Sequence, residues 1–147
     1  MQLVRKATLA DVEELAVLFD KFRQFYRQAP DLDGATNYIK SRLNYEDSAI
    51  YVASDNDILV GFTQLYPLFS SVGMKRMWLL NDLYVSEEHR GKNWGHQLID
   101  AAKRLAVNTG ASAILIETEK TNTRAQKLYA EVGFEEPDTL FYYLTKF

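Results

Sequence analysis

Arg90-Gly91-Lys92-Asn93-Trp94-Gly95 is the stretch that decides how the rest of the chain is read. Before it lies an apolar run, Met77 to Val85, with the character of a strand. After it, Leu98, Ile99, Ala102 and Leu105 recur at helical spacing from a start near Gly95. A short basic loop between strand and helix turns successive backbone N–H groups toward one point, and the positive end of the helix dipole adds to them. Such a point attracts phosphate. Gly95 leaves room where a side chain would crowd an anion. Asn93 is the least costly non-glycine residue if its position requires a positive φ. A plain strand-to-helix turn with a solvated basic face has the same composition, so the loop needs support from elsewhere in the chain.

Upstream, Leu3 to Ala7 reads as a short edge strand. Thr8 with Asp11 forms a capping box for a helix whose Val12, Leu15, Ala16, Phe19 and Phe22 make one buried stripe. Gln28 to Asp31 is a loop, and a second helix covers Asp33 to Tyr45 with Tyr38, Ile39 and Leu43 inward. Ala49 to Ser54 and Ile58 to Tyr66 are strands joined by a hairpin turn at Asp55-Asn56-Asp57. Pro67 to Lys75 is expected to be a loop. Downstream, Gly110 stops the helix, and Ala113 to Ile116 reads as a strand buried on both faces. Asn122 caps a last helix with Ala125, Leu128, Tyr129 and Val132 on its apolar side. Gly133-Phe134 ends that helix in a Schellman-like pattern, and Leu140 to Phe147 closes the chain as a strand. The order β-α-α-β-β-β-α-β-α-β predicts an α/β fold. Hairpin strands pair antiparallel, and the strand–helix–strand step from Met77 to Ile116 is parallel. A mixed sheet with helices on both faces follows, with residues 1–147 as a single domain.

The 147 residues suffice for one sizeable core. No apolar run is long enough to span a membrane, and Met1 to Lys6 lacks the apolar stretch of a signal peptide. A cytoplasmic protein with no membrane partner is expected. The chain has no cysteine, which excludes disulfides, thiolate metal sites and a cysteine acyl-enzyme. His89 and His96 flank the basic loop without a second ligand set, so no metal is expected. A net charge of −3 argues against nucleic acid as a partner.

Within the Met77–Val85 strand, Asn81 and Asp82 interrupt the apolar run. Burying an unpaired carboxylate or amide costs on the order of several kcal/mol, so such residues need partners or a task. Strand geometry sends their side chains to opposite faces unless a bulge re-aims one of them. Asp82 either holds a cationic group or pairs internally.

The second motif is Asn122-Thr-Arg-Ala125-Gln-Lys-Leu128-Tyr129-Ala-Glu-Val-Gly133-Phe134. With the basic loop and the element order, it resembles the Gcn5-related N-acetyltransferases, which move an acetyl group from acetyl-CoA to an amine. The resemblance covers nearly the whole chain and is most specific from Leu80 to Phe134. It implies acetyl-CoA as cosubstrate, with its pyrophosphate on Arg90, Gly91, Lys92, Asn93, Trp94, Gly95 and His96. Asn93 stands where the family usually has its first motif glycine. The resemblance also sets the pantetheine arm beside the backbone of Leu83, Tyr84 and Val85, and lets Asn122 touch the cofactor. The pattern is closest to polyamine-type and Hpa2-like members, and the polyamine-type ones have an acidic pair where this chain has Asn81 and Asp82.

Carried over residue by residue, the resemblance makes Asp82 the group that holds the substrate ammonium and helps to remove its proton. Tyr129 becomes the acid that protonates the departing thiolate, although its place on an apolar stripe fits a core tyrosine equally well. An alkyl ammonium near pKa 10.4 must lose a proton before it attacks, and a tyrosine near 10 can protonate a thiolate near 8.5. Aromatic residues (Phe22, Phe25, Tyr26, Tyr38, Tyr66, Trp78 and Phe141 to Tyr143) suit an organic cation or a core, with Tyr26 and Asn81 joining Asp82 on the substrate side. A small amine is the favoured acceptor. A protein lysine or N-terminus, and an acetyl-CoA sensor without catalysis, are the rival readings. A homodimer is compatible with the family.

Overall fold

In the computed structural model, which describes residues 2–147, the chain runs β1 (Gln2–Lys6), α1 (Val12–Phe25), α2 (Leu32–Tyr45), β2 (Ala49–Asp55), β3 (Ile58–Ser70), β4 (Lys75–Val85), α3 (Trp94–Asn108), β5 (Ile114–Ile116) and α4 (Thr123–Glu131). It divides into a unit that ends at Glu117 and a unit of Thr118–Phe147. Among the described residues no helix is long and apolar enough to cross a membrane.

The first unit contains all five strands, in the order β1-β2-β3-β4-β5. Neighbours from β1 to β4 pair antiparallel, and β4 pairs parallel with β5, as the connections predict. The β2–β3 turn carries Asn56 and Asp57 at φ 50° and 68°, the doubly left-handed turn whose twist matches a hairpin. At the start of α1 the Thr8 N–H donates to the Asp11 carboxylate at 2.8 Å, and Arg5 grips both oxygens of that carboxylate at 2.8 Å. Helices cover both faces. Leu15, Phe19, Ala35 and Ile39 of α1 and α2 pack on Ile50, Val52 and Phe62. Trp94 and Leu98 of α3 pack on Ala53 and Val60, with Leu83 and Val85 against them. Gly110, at φ 66°, ends α3: its N–H donates to Val107 O and that of Ala111 to Ala106 O, the paired bonds of a Schellman stop.

Two bulges break the ladder. Ala53 faces Gly61 while Ser54 faces Leu59, so Val60 is the extra residue on β3. Gln64 faces Asp82 while Leu65 faces Leu80, so Asn81 is the extra residue on β4.

Three expectations are corrected in this unit. Pro67 to Lys75 is not a loop, because β3 continues to Ser70 and β4 begins at Lys75. Pro67 is tolerated there because β2 pairs with β3 only as far as Leu65, leaving one side of the later strand without a ladder to supply. Residues Ile114–Ile116 are half-buried, since β5 is an edge strand with β4 as its one neighbour. Leu105 is also only half-buried.

In the second unit the Asn122 side chain accepts the Ala125 N–H at 3.2 Å, capping α4. Gly133, at φ 103°, ends α4 in the predicted Schellman motif: Phe134 N–H donates to Tyr129 O and Gly133 N–H to Ala130 O. The expected strand over Leu140 to Phe147 does not form, and residues 135–147 have no regular secondary structure. Its aromatic residues carry a preference for pairing, but a strand exists only where an edge receives it, and Phe141, Tyr142 and Leu144 stay exposed.

Candidate active site

The bulge at Asn81 explains how two adjacent strand residues come to share one cavity. Strict alternation would send one of them through the sheet, but the extra residue lets both line the same space. That cavity, of about 360 Å³, lies among α1, α2, β3 and β4. Its aromatic lining is Phe19, Phe22, Tyr38 and Tyr66. Phe19 stacks on Tyr38 at 5.4 Å, and the Tyr38 and Tyr66 hydroxyls meet at 2.6 Å. Burial and the Tyr38 hydroxyl hold the Tyr66 phenol far above its usual range.

Asp82 is 1% exposed. Asn81 Nδ2 donates to Oδ1 and Gln64 Nε2 to Oδ2, both at 2.7 Å. Both donors are neutral, and among the described residues no cation pairs with the carboxylate. Burial pushes the carboxyl up to about 6, with the hydrogen bonds of Asn81 and Gln64 pulling the other way. The arginine on the cavity lining, Arg23, is already neutralised by Asp20 at 2.7 Å. Asp31 adds a second carboxylate to the lining, capping α2 through the Gly34 N–H at 2.9 Å. A Cβ on Gly34 would collide with that carboxylate, which accounts for a glycine in the first turn of a helix.

Two of the expected substrate-side residues, Asn81 and Asp82, are thus together. Tyr26 is not on the lining; it caps the C-terminus of α1, and its ring packs edge-on against Phe22, which takes the place at the cavity. Trp78 is buried, with its indole N–H on Thr109 Oγ1. Gln64, Arg23 and Asp31 are not singled out by the sequence, and Phe19 is read there only as part of a buried stripe. Gln64 was detectable by the argument that flagged Asp82, a polar residue within an apolar strand.

The basic loop has the conformation its sequence calls for. Asn93 adopts φ 69° and ψ 12°, the left-handed region, and Gly91 sits at φ 78°. The first intrahelical bond of α3 runs from Gln97 N–H to Asn93 O, so the N–H groups of the turn before it have no helical carbonyl to bond. Arg90 is fixed by Nε on Val85 O at 2.9 Å and lies 5.6 Å from the centre of the Tyr84 ring. The Trp94 side chain does not belong to this loop's surface. It is buried against Leu98 and Val60, because the first helical turn needs an apolar anchor on the sheet, and only its backbone faces the turn.

Between loop and cavity, β4 presents an open edge. Its parallel ladder with β5 stops at Leu80 opposite Ile116, so Asp82 to Val85 pair with β3 on one side and, among the described residues, with no strand on the other. Leu83 and Val85 direct their side chains to the α3 face, and Tyr84 packs on the opposite face with Phe22 and Phe62. An unpaired row of backbone amides suits an extended ligand that pairs like a strand. A helix start whose first N–H groups have no helical carbonyl suits a phosphate at its end. In the second unit, Tyr129 is half-buried on α4, with its ring edge-on to Phe134 at 5.8 Å.

Residues 15–134 match the model of the acetyltransferase (GNAT) family. An uncharacterized N-acetyltransferase of Bacillus subtilis (strain 168), YhfO, is 44% identical over 140 residues, which cover 95% of this chain and 94% of the relative. A crystal structure of a probable acetyltransferase superposes with a TM-score of 0.92 at 37% identity, covering 99% of this chain and 97% of the other. The structure of AAC(6')-Iy, in complex with the bisubstrate analog CoA-S-monomethyl-acetylneamine, shares the fold at 22% identity and a TM-score of 0.83, covering 99% of both chains.

Proposed function

The chain belongs to the acetyltransferase (GNAT) family, and on that premise we propose that it transfers the acetyl group of acetyl-CoA to a small cationic amine by direct attack in a ternary complex. The observation that carries this reading is the buried Asp82 carboxylate, which has only neutral donors and shares an aromatic-lined cavity. Aromatic faces and uncompensated carboxylates attract an organic cation. The lining adds Asp31, while its arginine is neutralised internally, so the cavity favours positive charge. AAC(6')-Iy, of the same fold, binds the bisubstrate analog CoA-S-monomethyl-acetylneamine, and an amine acceptor is in keeping with that.

Acetyl-CoA supplies the activated acyl group. The αL turn at Asn93 and the backbone N–H groups of Trp94 and Gly95 would hold its pyrophosphate, and the open edge of β4 from Leu83 to Val85 would hold its pantetheine amides. Asp82 holds the ammonium and takes its proton, directly or through water. The freed amine nitrogen bonds to the acetyl carbon, its second proton passes to solvent, and the carbon–sulfur bond breaks. Backbone N–H near Leu83 stabilises the charge that develops on the carbonyl oxygen. Tyr129 gives its proton to the leaving thiolate and recovers one from solvent.

The test is CoA-thiol release from acetyl-CoA against polyamines, aminoglycosides, amino acids and lysine peptides. One strong class of small amine supports the reading, and activity confined to lysine peptides overturns the acceptor assignment. Acetyl-CoA binding without release for any amine favours a sensor. Tyr129→Phe should lower turnover by roughly 10²–10⁴ if it is the sole general acid. Unchanged turnover removes it from that role.

A further inference from the structure

Gln64 is a primary amide in the middle of β3 with 0% exposure, and β3 would be better packed by an apolar residue there unless the amide has work to do. Its backbone lies directly opposite Asp82, so both side chains leave the sheet on the same face. Nε2 donates to Asp82 Oδ2 at 2.7 Å, and Oε1 accepts the Ser48 hydroxyl at 2.8 Å. The two bonds are mutually dependent. A carboxylate only accepts hydrogen bonds, so the amide must present its nitrogen to Asp82, and the Ser48 hydroxyl fixes the oxygen at the other end. The backbone of Asp82 is pinned as well, by Thr63 Oγ1 on its carbonyl at 2.8 Å. Asn81 Nδ2 takes the remaining oxygen at 2.7 Å.

We propose that the Ser48–Gln64 pair is a positioning device for Asp82, setting the plane and rotamer in which the carboxylate meets the acceptor amine. This rests on the reading of Asp82 as the amine-facing carboxylate. Gln64 reaches the carboxylate from β3 and Asn81 from the bulge of β4, so each of its two oxygens is held by one amide. Lone pairs not taken by the amides remain for a ligand in the cavity that Asp82 lines. The other titratable and charged groups on that lining are Tyr66 of β3, Arg23 of α1, which is paired with Asp20, and Asp31 and Tyr38 around α2. Among the described residues none of these hydrogen-bonds the carboxylate, so Gln64 and Asn81 are the groups that set its orientation and that lower its affinity for a proton against the raising effect of burial.

The experiment compares wild type with Gln64→Met, which keeps the shape of the side chain and removes its donor, and with Ser48→Ala, which releases the far end of the amide. Two quantities are read: the carbon-13 carboxyl titration of Asp82 by NMR, and the pH profile of kcat/KM from CoA-thiol release. In Gln64→Met the Asp82 midpoint should rise by about one to two pH units, as expected for a lost hydrogen bond to a charged group. The acid limb of kcat/KM should rise with it, while KM for acetyl-CoA stays put. Ser48→Ala should move both in the same direction by less. Ser48 is half-buried, so this variant keeps the proposal testable if Gln64→Met does not fold. An unmoved Asp82 midpoint in a folded variant overturns the positioning role. A midpoint that moves while the acid limb does not upholds the clamp and overturns Asp82 as the proton acceptor.

Discussion

Asp82 and Asn93 stand at the two ends of the candidate site, one acting through its carboxylate and the other through its backbone dihedral. The carboxylate is buried, held by two amides, and pushed up to about 6 by desolvation. Asn93 is exposed, and its contribution is φ 69°, the left-handed turn from which α3 starts. On the proposed reading the acceptor end is made of particular side-chain atoms, and the phosphate end of a turn that more than one residue can make. Substitutions should be felt very differently at the two ends.

The largest effect is expected at Asp82. Asp82→Asn should lower kcat/KM for the amine by roughly 10²–10⁴ with KM for acetyl-CoA unchanged. Asn93→Gly keeps the turn and should leave both constants within a few-fold of wild type. Equal damage from the two variants would break the contrast. The same burial gives Asp82 a signature in stability. The folded state binds this proton more tightly than the unfolded chain, where an aspartate titrates near 3.9. Its contribution is thus fully present below that value and lost as pH rises through about 6. A difference of about two units corresponds to roughly 3 kcal/mol. Denaturant unfolding between pH 4 and 8 should show that loss in wild type and lack it in Asp82→Asn. A parallel slope in both would mean that another group is responsible.

Most of the architecture was legible because its signals are local. The Asn56-Asp57 turn, the Gly110 and Gly133 stops and the Thr8–Asp11 box each depend on a few neighbouring residues, and all formed as read. What was not legible depends on partners distant in sequence. Pro67 is a strand residue because β2 stops pairing at Leu65, and 140–147 carries the aromatic pattern of a strand without forming one, since that pattern does not itself supply a pairing partner. The candidate site divides in the same way. Asp82 and Asn81 drew attention as polar residues in an apolar strand, and the need for a bulge was foreseeable. That Gln64 faces Asp82 depends on the β3–β4 register, which no single strand contains. Tyr26 ranks above Phe22 in the sequence, yet Phe22 lines the cavity, because the rotation of α1 over the sheet is not fixed by its own stripe.

A moderate effect at the phosphate end would sharpen the contrast further. Asn93→Ala puts a residue poorly suited to the left-handed region at φ 69°, at a cost of about 1–2 kcal/mol. The expected reading is an acetyl-CoA affinity reduced by about 5- to 30-fold, measured by calorimetry, with Asn93→Gly binding as well as wild type. If alanine and glycine behave alike, the dihedral is not what Asn93 supplies, and its side-chain amide must be contacting the ligand.

The smallest effect is expected at Lys92, in the same loop and exposed. If backbone N–H groups hold the pyrophosphate, the lysine is an auxiliary charge in high dielectric, free to move and screened by salt. Lys92→Ala should then weaken acetyl-CoA binding by only about two- to threefold at low ionic strength, and by less as salt rises. Arg90 is the sharper control because it is anchored on Val85 O, so its removal disturbs the end of β4 as well as the charge. A large, salt-insensitive loss at Lys92 would show that a side chain carries the phosphate after all, and the distinction between the two ends of the site would disappear.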